Sequence, residues 1–376
     1  MRPQHTSIRT FGVEEELLLV DAASLSPLPV GEWLAERSPH TTGGEHEFTT
    51  ELQQEQVEVV SPPQTTLAEQ VEAIRTGRAL ADKAVAEAGG RIVALPAAPG
   101  PVRPHVVPKE RLERVRDHFG LTALETLTCG FHVHVQVHSR EEGVAIIDRI
   151  RVWLPTLLAL SANSPFWGGA DSKFASYRYQ VWTRWPTAGP TEFFDSVEAY
   201  DRLRSLLLAT CVPLDVAMIH FDARLSAKHP TVEVRVADVC LKSEQAAVIA
   251  ALVRALAETA ARQWHAGVAP DPVSVPLLRA WSWWASFHGV DSELIDPATG
   301  TPAAARDVVQ RLLEHVRPVL VEQGENGDVE SVVAEILSGA SGARRQREAY
   351  ARHEEIYDVT ADALVATHDN AWTPGG

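Results

Sequence analysis

The segment Gly12-Val-Glu-Glu-Glu-Leu-Leu-Leu-Val-Asp21 sets three adjacent carboxylates at the head of an apolar run. Burying three unpaired carboxylates would cost several kcal/mol, roughly, so any fold must pair them, solvate them or give them a cation. Residues 8–21 read as a strand, which puts Glu14 and Glu16 on one face and Glu15 on the other. Two carboxylates projecting together from a strand suit a hard divalent cation such as Mg²⁺. The alternative is the solvated face of an edge strand.

Further candidate strands carry the same kind of side chain. Residues 56–60 alternate as Gln-Val-Glu-Val-Val and stop at Ser61-Pro62-Pro63, with Glu58 opposite the valines and Glu51 and Glu55 just upstream. Residues 127–138 have a period of two: Thr128, Gly130, His132, His134 and Gln136 share one face, while Cys129, Phe131, Val133, Val135 and Val137 share the other. A His-x-His pair on a strand is a common metal-ligand spacing, and taken alone it suits a zinc hydrolase equally well; two structural histidines are the alternative. In residues 231–236, Glu233 and Arg235 lie on one face, either as an ion pair or as a metal ligand beside an anion-binding guanidinium. Trp167, Trp182 and Trp185 crowd a short region with Arg178 and Arg184. That region reads as a pocket for a charged small molecule or as a tryptophan-rich corner of the core.

Helical periodicity covers residues 67–88, starting after Thr65-Thr66, then 109–119, 141–162 with a break at Pro155, 196–208, 243–266 and most of the chain beyond Pro302. Short strands are expected at 91–95 and 217–221, and residues 96–108 form a Pro-rich loop. Strands that do not alternate regularly with helices point to α+β rather than a doubly wound sheet. No linker or repeat divides the chain, so residues 1–376 read as one unit.

Composition narrows the partners. With 34 Lys and Arg against 50 Asp and Glu, the formal charge is −16, which argues against nucleic acid and against an electrostatic membrane anchor. Apolar residues at 45% and charged residues at 22% are those of a globular protein able to bury a core. Cys129, Cys211 and Cys240 make no disulfide framework, Met1-Arg-Pro-Gln-His5 leads into no apolar signal core, and a cytoplasmic protein is expected. There is no Walker-type lysine loop and no GxGxxG after a strand. Strands supplying Glu pairs, a His pair and a Glu-Arg pair are instead the inventory of a multi-magnesium ATP site.

At this point the chain resembles a known family. Gly12-Val-Glu-Glu-Glu-Leu17, Cys129-Gly-Phe-His-Val-His-Val135, Asn163-Ser-Pro-Phe-Trp167, Arg184-Trp-Pro-Thr-Ala-Gly-Pro190 and Val232-Glu-Val-Arg-Val-Ala-Asp-Val239 look like the YbdK-type carboxylate-amine ligases, also called glutamate–cysteine ligase type 2. Gln346-Arg347 fits as well. The resemblance implies a glutamine-synthetase-like catalytic fold, a curved antiparallel sheet of about six strands backed by helices, often as a homodimer. It implies ATP-dependent formation of a γ-glutamyl amide through an acyl phosphate. By the same resemblance, Glu14, Glu16, Glu51, Glu58, His132 and Glu233 hold Mg²⁺, His134 lies near the ATP phosphates, and Arg235 neutralises the transferring phosphoryl group. Arg178, Trp182 and Arg184 are expected at the substrate, and Glu16 and Arg235 in catalysis. The family's Gly-Thr-His-Pro-like motif is replaced here by Pro96-Ala-Ala-Pro-Gly-Pro101, which leaves the acceptor amine open. The competing readings are a zinc amidohydrolase built on His132 and His134, and a non-catalytic dimeric nucleotide-binding relative.

Overall fold

A computed structural model describes residues 8–37, 46–373 and 375, so the reading of Met1 to His5 lies outside the described residues. Seven strands form one open sheet: β1 (Phe11–Asp21), β2 (Glu47–Thr50), β3 (Gln56–Val60), β4 (Gly90–Val93), β5 (Gly130–Gln136), β6 (Ala223–Leu225) and β7 (Thr231–Asp238). Their order is β2-β3-β1-β5-β7-β6, with β4 joining the far half of β1 from Leu18 to Asp21. Every pairing is antiparallel. The architecture is α+β, with one strand more than the six or so expected.

Alternation gives the sheet two unlike faces. Val13, Phe131, Val133, Val232 and Val234 pack into one core with Val248, Ile249 and Leu252 of helix Ser243–His265. That helix is apolar nearly all round and buried along most of its length, as a helix covered on every side must be. Helix Leu67–Ala86 packs beside it and begins with a capping box, in which Thr66 and Glu69 each bond the other's backbone N–H. Pro155 falls in the first turn of helix Leu154–Ser161, so the break with helix Arg140–Ile150 is a fresh start rather than a kink.

One expected strand is absent. Residues 217–221 form no strand of the sheet; Val216–Met218 is a single 3-10 turn, Phe221 makes an isolated bridge with Gly189, and β6 begins at Ala223. The Asp215 carboxylate accepts the Ala217 N–H at 2.9 Å, a local bond that competes with ladder pairing. Past residue 290, a hairpin of Glu293–Asp296 and Thr301–Ala304 precedes the C-terminal helices. No helix among the described residues is long and apolar enough to cross a membrane.

Glu15 falls on the apolar face and is paired there. Arg78 donates to both its carboxylate oxygens at 2.7 and 3.0 Å, and to the carbonyls of Cys240 and Leu241 at 2.7 Å. Both side chains are buried. Breaking such a pair on one side strands a buried charge. Arg78→Met should therefore cost about 3–5 kcal/mol of unfolding free energy in urea, and the double change Glu15→Leu/Arg78→Met should recover most of it.

Candidate active site

The register of the sheet brings the polar residues together on its other face. Glu16 lies opposite Glu58 across β1 and β3, and Glu14 lies opposite His132 across β1 and β5. His134 lies opposite Glu233, which lies opposite Arg224. Glu51 joins them from the turn that follows β2. These residues floor a cleft of about 530 Å³, walled by helix Glu110–Phe119 and by Trp182, Trp185 and His220.

Among the described residues, three sets of ligand atoms come within 4.8 Å of one another: Glu16–Glu51–Glu58, Glu14–Glu58–His132 and Glu14–His134–Glu233. Neighbouring sets share Glu58 and Glu14, so the donors form a continuous row. Glu14 sits between the histidines, 3.2 Å from His132 Nδ1 and 3.2 Å from His134 Nε2. Its neighbours are fixed in turn. Glu16 accepts the Gly130 N–H at 2.5 Å, Glu58 accepts the Thr49 hydroxyl at 2.6 Å, and His134 Nδ1 lies 2.9 Å from Thr231 Oγ1. Arg224 grips Glu233 with two hydrogen bonds of 2.8 and 2.9 Å, and Arg235 bonds the same carboxylate.

Electrostatics divide the row. Burial, reinforced by the charge of Glu16, pushes Glu51 up to about 8. Burial and the charges of Glu51 and Glu14 raise Glu58 well above the ordinary carboxylate range. Against the desolvation of burial, hydrogen bonds with His132 and His134 hold Glu14 low, and Arg235 and Arg224 do the same for Glu233. Burial, with Arg235 nearby, lowers His132, leaving a neutral ring with a lone pair. His132 Nε2 is buried without a hydrogen-bond partner. Clustered carboxylates that must protonate and an orphaned imidazole nitrogen fit a row of cations, and the oxygen-rich donor set fits Mg²⁺ better than zinc.

The remaining candidates separate. Trp182 lines the cleft, its ring 5.5 Å from the Arg235 guanidinium carbon. Arg178 is not among the lining residues: it is fully buried on the His132 face of β5, 3.7 Å from Asp238, where a Cβ on Gly130 would lie 2.2 Å from its Nη2 and 3.2 Å from His132 Nε2. Arg184 is turned outward and pairs with Glu125 at 3.0 Å. Neither arginine is in the cleft lining, and the missing side chain of Gly130 leaves the space that the Arg178 guanidinium occupies. Residues 96–101 and Gln136 also lie outside the cleft lining, Gln136 accepting from the Thr10 hydroxyl at 3.3 Å. The Asn163-Ser164 block is structural: its backbone and hydroxyl bond Asp238 at 2.9 and 2.8 Å, and Gln346 holds Asn163. Arg111, His220 and Arg224 line the cleft without having been singled out in the sequence. Only the antiparallel partner of Glu233 could have pointed to Arg224, and the turn at residues 216–218 hid that pairing.

The fold is that of the glutamine-synthetase-like ligases. It matches a bifunctional glutathione synthetase from Pasteurella multocida with a TM-score of 0.71 at 16% identity, over 96% of this chain and 52% of that one. It matches a glutamate–cysteine ligase from Francisella tularensis, solved in complex with AMP, with a TM-score of 0.68 at 12% identity over 97% and 90%. The profile of glutamate-cysteine ligase family 2 covers residues 10–362, and the chain belongs to that family. A relative from Paenarthrobacter aurescens, named "Putative glutamate–cysteine ligase 2-1", is 47% identical over 368 residues, 96% of each chain.

The raised acids give the metal-free protein a definite pH response. The unfolded chain releases the Glu51 proton near 4.5 and the folded chain near 8. Stability from that proton is therefore complete below 4.5 and is lost as pH rises through 8. Glu14 and Glu233 are held low, so their own protonation falls below this window. Above the range in which the lowered His132 adds stability with pH, thermal melts between pH 7 and 8.5 should show the metal-free midpoint falling with pH. Added Mg²⁺ should raise it more at pH 8 than at pH 6.

Proposed function

We propose that the chain is an ATP-dependent carboxylate-amine ligase that forms a γ-glutamyl amide through an acyl phosphate. The observation that carries this reading is the row of three donor sets flanked by the buried Arg235, which bonds Glu233 and lies 3.3 Å from His132 Nδ1. The AMP held by the Francisella ligase supports nucleotide use. The same reading makes the protein a cytoplasmic homodimer acting on small molecules.

In the first step a carboxylate oxygen bonds the γ-phosphorus of ATP and ADP leaves. In the second an amine nitrogen bonds the acyl carbon, loses a proton and displaces phosphate. The first step joins two anions, so positive charge must be in place beforehand. Glu14, Glu16, Glu51, Glu58, His132 and Glu233 would hold Mg²⁺, which when bound neutralises and orients the phosphates. Arg235 is oriented by Glu233 and lines the cleft, where its guanidinium would meet a phosphoryl oxygen. His134, held near Thr231, stands at the Glu233 end of the row, where it would face the ATP phosphates. Glu233 stays ionised between Arg224 and Arg235 and fixes both guanidinium groups.

A zinc amidohydrolase is the weaker reading. No donor set among the described residues contains both His132 and His134, and each set includes at least two carboxylates. The deciding experiment is phosphate release from ATP with glutamate and a panel of amines, the products identified by mass. Glu16→Gln should lower that rate at least ~100-fold while leaving the melting temperature near that of the wild type. Full turnover in Glu16→Gln would remove the assignment. A wild-type protein that binds nucleotide but turns over nothing would favour the non-catalytic relative.

A further inference from the structure

Six of the seven residues in the row of donors stand on strands and take their places from the ladder, but Glu51 does not. β2 ends at Thr50, whose ladder partner is Val57, and β3 begins at Gln56, so Glu51 opens a turn between them. Its ligand oxygen lies within 4.8 Å of those of Glu16 and Glu58, and carboxylates that close repel one another. Something other than the sheet has to hold the turn in place.

The Pro-rich segment ahead of helix Glu110–Phe119 does so. Val107 N–H donates to the Leu52 carbonyl at 3.0 Å and Lys109 Nζ donates to Thr50 Oγ1 at 2.7 Å, so both chain neighbours of Glu51 are held. Gln54 N–H donates to the His105 carbonyl at 2.7 Å, and Gln53 forms an isolated bridge with Val106. One side-chain pair fastens the far end of this strap. The Glu55 carboxylate, 2% exposed, accepts the His105 N–H at 3.0 Å, and His105 Nδ1 lies 2.5 Å from its other oxygen. A buried carboxylate demands its hydrogen bonds, so this pair binds the strap to the turn more firmly than neutral backbone bonds alone. The His105 side chain is itself 65% exposed, and residues 96–108 are not among those that line the cleft.

We propose that His105 is a positioning residue for the row of donors. Through Glu55 it clamps residues 105–109 onto residues 50–55, and so sets Glu51 as the third donor beside Glu16 and Glu58. This rests on the reading of the row as a Mg²⁺ site and not on the reaction performed there. The Pro-rich loop thereby acts on the cleft from outside it. Groups that orient a metal ligand from behind typically change metal affinity by about 10–100-fold.

The test titrates Mg²⁺ alone into the intact, nucleotide-free protein and follows the rise in melting temperature. In His105→Ala, the Mg²⁺ concentration that gives half the rise should increase about tenfold. His105→Asn, whose side-chain N–H can take the place of Nδ1, should stay within about threefold of the wild type. A bond that merely stabilised the fold would lower the metal-free melting temperature and leave that concentration unchanged, and this result overturns the role. A loss that His105→Asn shares in full overturns it too. Should His105→Ala fail to fold, Lys109→Met decides: it frees Thr50 from the same strap and should raise the concentration about threefold, and no change overturns the role. A wild type that binds no Mg²⁺ overturns the metal reading and the positioning role together. A wild type that binds Mg²⁺ no more tightly than His105→Ala sinks the positioning role alone.

Discussion

Carboxylates gathered on one face of a sheet repel one another, and the rest of this structure is arranged around that repulsion. The opposite face must supply the folding energy, which is why Val13, Phe131, Val133, Val232 and Val234 meet a helix buried along most of its length. The repulsion itself is relieved locally. Arg224 and Arg235 hold Glu233, the two histidines bracket Glu14, and Glu51 and Glu58 retain protons when no cation is present. On the proposed reading, cations carrying phosphate would relieve the same repulsion.

The parts readable in advance were those fixed by a period of two. The two faces of β5 follow directly from its alternation, and so does the separation of Glu15 from Glu14 and Glu16. What alternation cannot supply is the partner across the ladder. Glu58 meets Glu16, and His134 meets Glu233, only through registers set by turns and by a bulge between Phe131 and Val133. Glu51 depends on a four-residue strand, Glu47–Thr50, with almost no apolar pattern of its own.

Arginines were the least legible residues. Nothing in the run from Arg178 to Arg184 says which guanidinium goes inward, and the outcome depends on the space left by Gly130. Arg178 became part of the scaffold, Arg184 a surface partner of Glu125, and Arg111 and Arg224 reached the cleft from elsewhere in the chain. The Asn163-Ser164 block shows the converse. It is among the most distinctive strings in the sequence, yet its work is to anchor Asp238 at the end of β7, away from the chemistry.

The alternation of β1 also limits how a lineage carrying this strand can vary. Glu14, Glu15 and Glu16 belong in turn to the cleft, the core and the cleft. A residue gained or lost between Glu16 and the stretch Leu18–Asp21 that pairs with β4 would have to be absorbed as a bulge, or it would turn the cleft's carboxylates to the core and Arg78's partner to the cleft. Many side chains along the strand can be exchanged one at a time without that inversion. The count of residues from Glu16 to the β4 pairing is the tighter constraint, so descendants should differ there in spelling sooner than in number.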